Sequence, residues 1–386
     1  MGDANSARRR LHVSLSIHYT GVGFTSAAVG LARHMPEPFE PILYVPQVAG
    51  PLPADVAHVR PFPPLLPRQL AFRPAVVDRA KRRNERNLLR AVRRQGPGAL
   101  VWIWPGASTE LHRALKGAGA ILIREMINTH VGTARRILNA EYARLGFPPT
   151  HENSERKQSL EQEQLALSDL IVSPSECVDE SLIEWGIPEE RIIRSTFGWS
   201  PRDFAGESKA DVPPAGVKAL FVGSVGIRKG IHLALAAWDQ AKVEGSFIVV
   251  GPAESEVEPL IAPYRHRSDI LFVPFTRDLA SLYRAADFMF FPTLEEGAPL
   301  VCYQAGGCGL PILTGPMGRG RLVEHMVTGL VGDPHDTEAL AEHIRALASD
   351  SELRRRLGMK IRERALTLDF ASAASQRARA FIDKGL

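Results

Sequence analysis

Twice in this chain an apolar stretch of strand character runs into a glycine turn and then into a helical pattern. The first is Leu11-His12-Val13-Ser14-Leu15-Ser16-Ile17, followed by Thr20-Gly21-Val22-Gly23 and apolar residues at helical spacing over 24–35. The second is Val217-Lys218-Ala219-Leu220-Phe221-Val222, followed by Gly223-Ser224-Val225-Gly226 and a helix over about 231–240. Each is followed by another apolar strand, at 41–45 and 246–250. Strand, glycine turn, helix and strand make a βαβ unit, which demands a parallel sheet. Further strands are expected at 99–104, 120–123 and 167–175, then at 270–273, 288–291 and 311–314. Residues 196–216 carry three glycines and three prolines with little periodicity, and read as an interdomain linker. The fold expected is α/β: two Rossmann-like domains, 1–198 and 199–386. Ligands of such sheets sit beyond the carboxyl ends of the strands, so both glycine turns should line one interdomain cleft.

The length of 386 residues suits two domains of ordinary size. A net charge of +4 does not by itself separate a phosphate-bearing substrate from a membrane surface or nucleic acid. Cys177, Cys302 and Cys308 have no metal-ligand spacing, and so few cysteines suit a reducing compartment. No His/Cys/Asp/Glu cluster suggests a metal, and no apolar run approaches a membrane span. A cytoplasmic protein that uses neither metal nor cofactor is the expectation.

The most specific stretch runs from Phe290 to Ala305. Apolar and aromatic residues over 287–291 suit a covered parallel strand. An acidic turn with Glu295, Glu296 and Gly297 follows, then a helix with Pro299 at its first position, ended by Gly309 and Pro311 after about three turns. Ala298 has no side-chain oxygen to cap that helix, so its free N–H groups are available to an anion. An acid in the same turn can bind hydroxyls of whatever carries the anion.

Glu296 to Gln304 resembles the E-x7-E segment of the retaining glycosyltransferases of family 4, which have the GT-B fold. The resemblance covers most of the chain and is specific over about 221–334. It implies that Glu296 meets the donor sugar, with Gly297, Ala298, Pro299 and Leu300 forming the turn around it. Gln304 stands where the family has a second Glu on the ribose, and so contributes no charge. The run from Phe221 to Gly230 resembles the family's diphosphate loop. Gly223, Lys229 and Gly230 match; Ser224 replaces an Arg, and Arg228 is placed to supply a cation instead. Glycines let backbone N–H groups approach phosphate oxygens, and lysine neutralises them. His130, in Arg124-Glu125-Met126-Ile127-Asn128-Thr129-His130, matches a cleft histidine near the donor sugar. Phe275 stands where the family packs the base, and Thr196-Phe197-Gly198-Trp199 resembles the entry to the linker. The last helix, over about 362–386, is expected to cross back onto the first domain.

Other readings compete. Gly21-Val22-Gly23 approaches the dinucleotide fingerprint but ends in Ser26, and Tyr44-Val45-Pro46-Gln47 lacks the acid a ribose would need. A nicotinamide enzyme is therefore disfavoured, and Gly21 and Gly23 are assigned to phosphate or acceptor. His130, Phe197, Trp199 and Phe275 could equally be packing residues. The basic run over 79–94, with apolar residues on its other face, fits a peripheral contact with the anionic inner face of a membrane, an anionic acceptor, or an ordinary solvated helix. The function expected is a retaining, metal-independent transfer of sugar from a nucleoside-diphosphate sugar to a hydroxyl of a glycan, lipid or small molecule, with Glu296, Lys229 and His130 at its centre and no nucleic acid involved. A weakened sugar-nucleotide-binding protein and a sugar-nucleotide epimerase are the alternatives.

Overall fold

The computed structural model describes residues 8–48, 52–61, 73–212, 216–276 and 278–386. Among these, the first domain holds strands β1 Arg9–Ser14, β2 Phe39–Tyr44, β3 His58–Val59, β4 Leu100–Ile103, β5 Ile121–Glu125, β6 Leu170–Ser173 and β7 Ile192–Arg194. The second holds β8 Val217–Val222, β9 Gly245–Val250, β10 Ile270–Val273, β11 Phe288–Phe291, β12 Ile312–Thr314 and β13 Gly329–Val331. The sheet orders are β3-β2-β1-β4-β5-β6-β7 and β10-β9-β8-β11-β12-β13, with parallel pairing throughout. Central strands such as Leu100–Ile103 and Phe288–Phe291 are buried along their whole length, because helices cover both faces of a parallel sheet. The fold is the expected pair of Rossmann-like domains.

The carboxyl edges of the two sheets face each other. The turn after β5 meets the turn after β11: Thr129 donates to Glu295, and the Gly297 backbone lies against the Ile127 carbonyl so closely that a Cβ would collide with it. Beside this contact, Glu141 of helix Val131–Leu145 accepts from Arg144 at 2.6 Å, His232 at 2.5 Å and His335 at 2.8 Å. Both histidines belong to the second domain, and three donors hold the buried Glu141 carboxyl well below the usual carboxylate range despite its burial.

The chain crosses between the domains twice. Helix Ser351–Leu366 packs on the second domain, its Gly358 against Gly309. Helix Phe370–Asp383 lies on the first: Phe381 meets Phe39 and Trp102 edge-on at 5.8 and 6.2 Å. Fully buried Arg377 donates to Glu125 at 2.6 Å, to Ser195 at 3.0 Å and to the Thr196 carbonyl at 2.7 Å. The two crossings run side by side, with Phe370 N–H donating to the Trp199 carbonyl at 3.0 Å. The segment read as an interdomain linker is packed at its opening, 196–199, and mostly exposed from Arg202 onward. Phe197 and Trp199 are buried, Trp199 donates to the Ala365 carbonyl at 2.7 Å, and Pro201–Phe204 forms a short 3-10 turn; Pro213 and Pro214 lie outside the described residues.

The basic run lies on helix Pro74–Gln95, which buries Ala80, Asn84, Leu88 and Val92 and leaves most of its arginines exposed. Among the described residues no helix is long and apolar enough to cross a membrane.

Candidate functional site

The loop after β8 is built to hold cations against the acidic turn. Ile227–Lys229 forms one 3-10 turn, and Gly230 follows at φ 69°, pressed against the Pro292 carbonyl. A left-handed backbone with no room for a Cβ explains why glycine stands there. The turn is tied to the segment after β11: Leu294 N–H donates to the Arg228 carbonyl at 3.0 Å, and the Thr293 hydroxyl does so at 3.2 Å. The Arg228 guanidinium donates to the Glu295 carbonyl at 3.1 Å and lies 3.5 Å from the Glu296 carboxylate. The Lys229 ammonium pairs directly with Glu296. Lys229 is 9% exposed and Glu296 8%. Burial, followed by the charge of Arg228, pushes the Lys229 ammonium well below its ordinary pKa, so this lysine depends on negative charge beside it to stay protonated. Two residues chosen separately from the sequence thus meet in one place.

The helix after the turn spans Leu300–Gly307, shorter than expected, and begins one residue later than expected. Pro299 is its N-cap, in extended conformation at φ −68° and ψ 112°, because the turn stays open until Leu300. No side chain caps this end, and Ala298 is buried beside it. Gln304, one turn along, is half-buried, and its Oε1 accepts from the Tyr283 hydroxyl at 3.4 Å. Gly223 borders Phe291, and half-buried Ser224 follows it. Phe275, just past β10, is 63% exposed, so it is not a core residue. Gly21 and Gly23 have φ of 83° and 63° in the exposed turn after β1, with open space at the Cβ position of Gly23 and the Tyr19 hydroxyl 4.0 Å from that of Gly21.

His130, expected near the donor sugar, is placed at the start of a helix. It is fully buried as the N-cap of helix Val131–Leu145, where Nδ1 accepts from Gly132 N–H at 3.1 Å. Its Nε2 faces the Gln162 side-chain oxygen at 3.0 Å, and the ring stacks on Trp185 at 4.5 Å. These partners fix the neutral tautomer with Nε2 protonated, in keeping with a pKa that burial lowers. Its physical role is to hold the helix whose preceding turn touches Glu295.

Sequence reasoning missed Glu295. Its carboxylate accepts the Thr129 hydroxyl at 2.8 Å and N–H at 3.2 Å, with Asn128 at 3.5 Å. Two acids in succession signalled that one faces the other domain, but which one depends on the turn. Glu141 carries no local signal, because its partners His232 and His335 lie too far along the chain for spacing to reveal.

Residues 208–364 match the family model described as glycosyl transferases group 1. A D-inositol 3-phosphate glycosyltransferase of Xylanimonas cellulosilytica is 33% identical over 166 residues, which is 40% of this chain and 40% of that protein. The chain thus spans less than half the length of that relative. Sucrose-phosphate synthase from Thermosynechococcus elongatus superposes with a TM-score of 0.73 at 19% identity, over 98% of this chain and 99% of that one. HepE of Anabaena in complex with UDP gives 0.68 at 15% identity, over 97% and 100%; its UDP-glucose complex gives 0.67, over 97% and 99%. These likenesses establish the GT-B fold.

Proposed function

We propose that the chain is a retaining glycosyltransferase that moves a sugar from a nucleoside-diphosphate sugar to a hydroxyl acceptor without a metal ion. One observation carries this reading: Lys229, Arg228 and Glu296 converge beside the uncapped start of helix Leu300–Gly307. Such a site offers positive charge and free N–H groups to a diphosphate, and an acid to the hydroxyls next to it. As the bond from the anomeric carbon to the diphosphate oxygen breaks, negative charge grows on the leaving group. Lys229, Arg228 and the helix N–H groups stabilise it there. The acceptor oxygen attacks the same face, and its proton passes to the departing phosphate oxygen, so no protein nucleophile is assigned. Glu296 holds the donor sugar, Gln304 the ribose, exposed Phe275 the base, and the turn with Gly21 and Gly23 borders the acceptor. His130 acts through the helix it caps. The matched group 1 model and the UDP and UDP-glucose complexes of HepE support a sugar-nucleotide donor.

A panel of UDP-, GDP- and ADP-sugars tests this by thermal shift and by transfer to simple acceptors. A bound donor at 100 times its Kd should stabilise by about 2.7 kcal/mol, and the product should keep the donor's anomeric configuration with chelator present. No stabilisation by any member would overturn the reading. One observation favours a weakened binding protein instead: Gln304 is already engaged by Tyr283, and Ser224 brings no cation. Stabilisation with neither transfer nor donor hydrolysis is the outcome that would select it.

A further inference from the structure

A cavity of about 680 Å³ opens at the other end of the first sheet, away from the donor cleft. Its lining takes in the opening residues of several strands: Arg9 and Arg10 of β1, Glu40 of β2, Leu100 of β4 and Ile121 of β5. Ligands of doubly wound sheets ordinarily gather at the opposite, carboxyl edge. The six residues of β1 separate the two edges by about 20 Å.

The charge in this cavity is one-sided. Arg8, Arg9, Arg10 and Arg94 line it against one acidic side chain, Glu40, with the last residue, Leu386, beside them. Arg8 pairs with Glu37 at 3.2 Å, outside the lining. Arg9, Arg10 and Arg94 have no ion pair or side-chain hydrogen bond among the described residues. Arg94 also suits the carbonyl end of helix Pro74–Gln95, which is a structural reason for one cation but not for three. An anion in this cavity would gain charge-assisted hydrogen bonds from whichever of these exposed guanidinium groups reach it.

The floor is polar and fixed. His12 is 1% exposed and sits between the Tyr44 hydroxyl at 3.0 Å and the Gln95 side-chain oxygen at 2.9 Å. Ile42, Leu100 and Ile121 add apolar wall. We infer that this cavity is a second anion site, taking a phosphate group attached to a partly apolar body, independent of the sugar-nucleotide cleft. Guanidinium forks match phosphate oxygens in pairs, and the apolar wall accommodates what the phosphate is esterified to. An anionic lipid headgroup and a soluble phosphate ester share this chemistry.

The His12 ring signals, followed by NMR in the whole protein, report on this cavity alone. Inorganic phosphate should shift them and raise the His12 pKa, which burial and Arg10 now lower. The double variant Arg10→Gln with Arg94→Gln should raise the half-saturating phosphate concentration by about tenfold or more, the equivalent of losing a hydrogen bond to a charged group. Lys229→Ala should leave it unchanged. Glycerol 3-phosphate in solution and phosphatidylglycerol vesicles in a phosphatidylcholine background separate the two sources. Vesicle co-sedimentation that the double variant loses assigns a lipid headgroup; tight glycerol 3-phosphate binding without co-sedimentation assigns a soluble ester. A His12 response equal in wild type and double variant, or no response to any of the three probes, overturns the site.

Discussion

The Glu295 carboxylate of the second domain holds Thr129 of the first by both its hydroxyl and its backbone N–H, at 2.8 and 3.2 Å. Both residues are almost wholly buried. Thr129→Val removes the hydroxyl and should destabilise the protein by about 1–3 kcal/mol, because the carboxylate keeps one donor fewer and no water replaces it. Urea unfolding measures the loss. Transfer should fall as well, with free diphosphate affinity nearly unchanged. A loss of diphosphate affinity as large as that of Lys229→Ala would show that the Thr129 contact belongs to the phosphate site instead.

Lys229 and Glu296 pair with each other, so a donor that binds Lys229 must compete with the acid. Lys229→Ala should weaken free nucleoside diphosphate by about 1.5–3 kcal/mol, as expected for a hydrogen bond to a charged group. Glu296→Gln should do the opposite: it frees Lys229 and removes a negative charge near the phosphates, tightening free diphosphate while transfer drops. Calorimetry with UDP, GDP and ADP beside a transfer assay checks both. Parallel losses of binding and transfer in Glu296→Gln would make that acid purely structural.

Ser224 and Gln304 each lack a charge that the resembling family carries. Gln304→Glu offers ribose a stronger acceptor, since charge-assisted hydrogen bonds are roughly twice as strong as neutral ones, but it adds repulsion toward the diphosphate. Alone it should gain little or weaken donor binding. With Ser224→Arg it should bind better than the two single effects sum to, a coupling that a double-mutant cycle on nucleotide affinity reads directly. Zero or opposite coupling would mean that the two departures arose independently.

Arg377 and Glu125 form an ion pair with no exposure on either side chain. Arg377→Met leaves a buried carboxylate without its cation and should cost about 3–5 kcal/mol. Adding Glu125→Gln should recover part of that loss, with Trp102 still able to donate to the amide oxygen as it now does to the carboxylate at 2.9 Å. Urea denaturation of the three variants gives the comparison; equal stability of the single and double variants would contradict it.

His112 is buried, with Nδ1 on the Ser108 carbonyl at 2.8 Å and no hydrogen-bond partner for Nε2. Burial, then the charge of Arg124, pushes its pKa from 6.5 down to about 4. The unfolded chain therefore takes up this proton first as pH falls. The contribution is complete above about pH 6.5 and drains away toward pH 4, amounting to about 3 kcal/mol. His12 and His130 are lowered in the same direction. His112→Gln should flatten the fall in urea midpoint between about pH 7 and about pH 5; an unaltered slope would remove His112 as its source.

The strand-glycine-helix units could be read from the sequence because local rules set them: apolar runs make covered strands, and glycine alone accepts the φ of Gly230. Lys229 and Glu296 were found for the same reason, each lying in a turn fixed by its own strand. What escaped depends on where one domain sits against the other. Nothing local separates Glu295 from Glu296, and nothing links Glu141 to His232 and His335. A strand-end histidine such as His130 suits a cleft as well as a cap, and nothing local separates the two. Its stacking on Trp185 is set by a residue 55 positions away in the chain. The Tyr283 contact to Gln304 joins two helices that share no pattern.

The paired crossings at 197–199 and 367–370 are bonded to each other, Phe370 N–H to the Trp199 carbonyl. Two covalent links lying side by side would confine any relative rotation of the domains to the line through both. Glu295 and Glu141 bond across the domains away from that line, so such a rotation would have to break their contacts while Arg377 kept its own. A protease cut in either crossing would leave the halves joined by the other link and remove the constraint to a single axis.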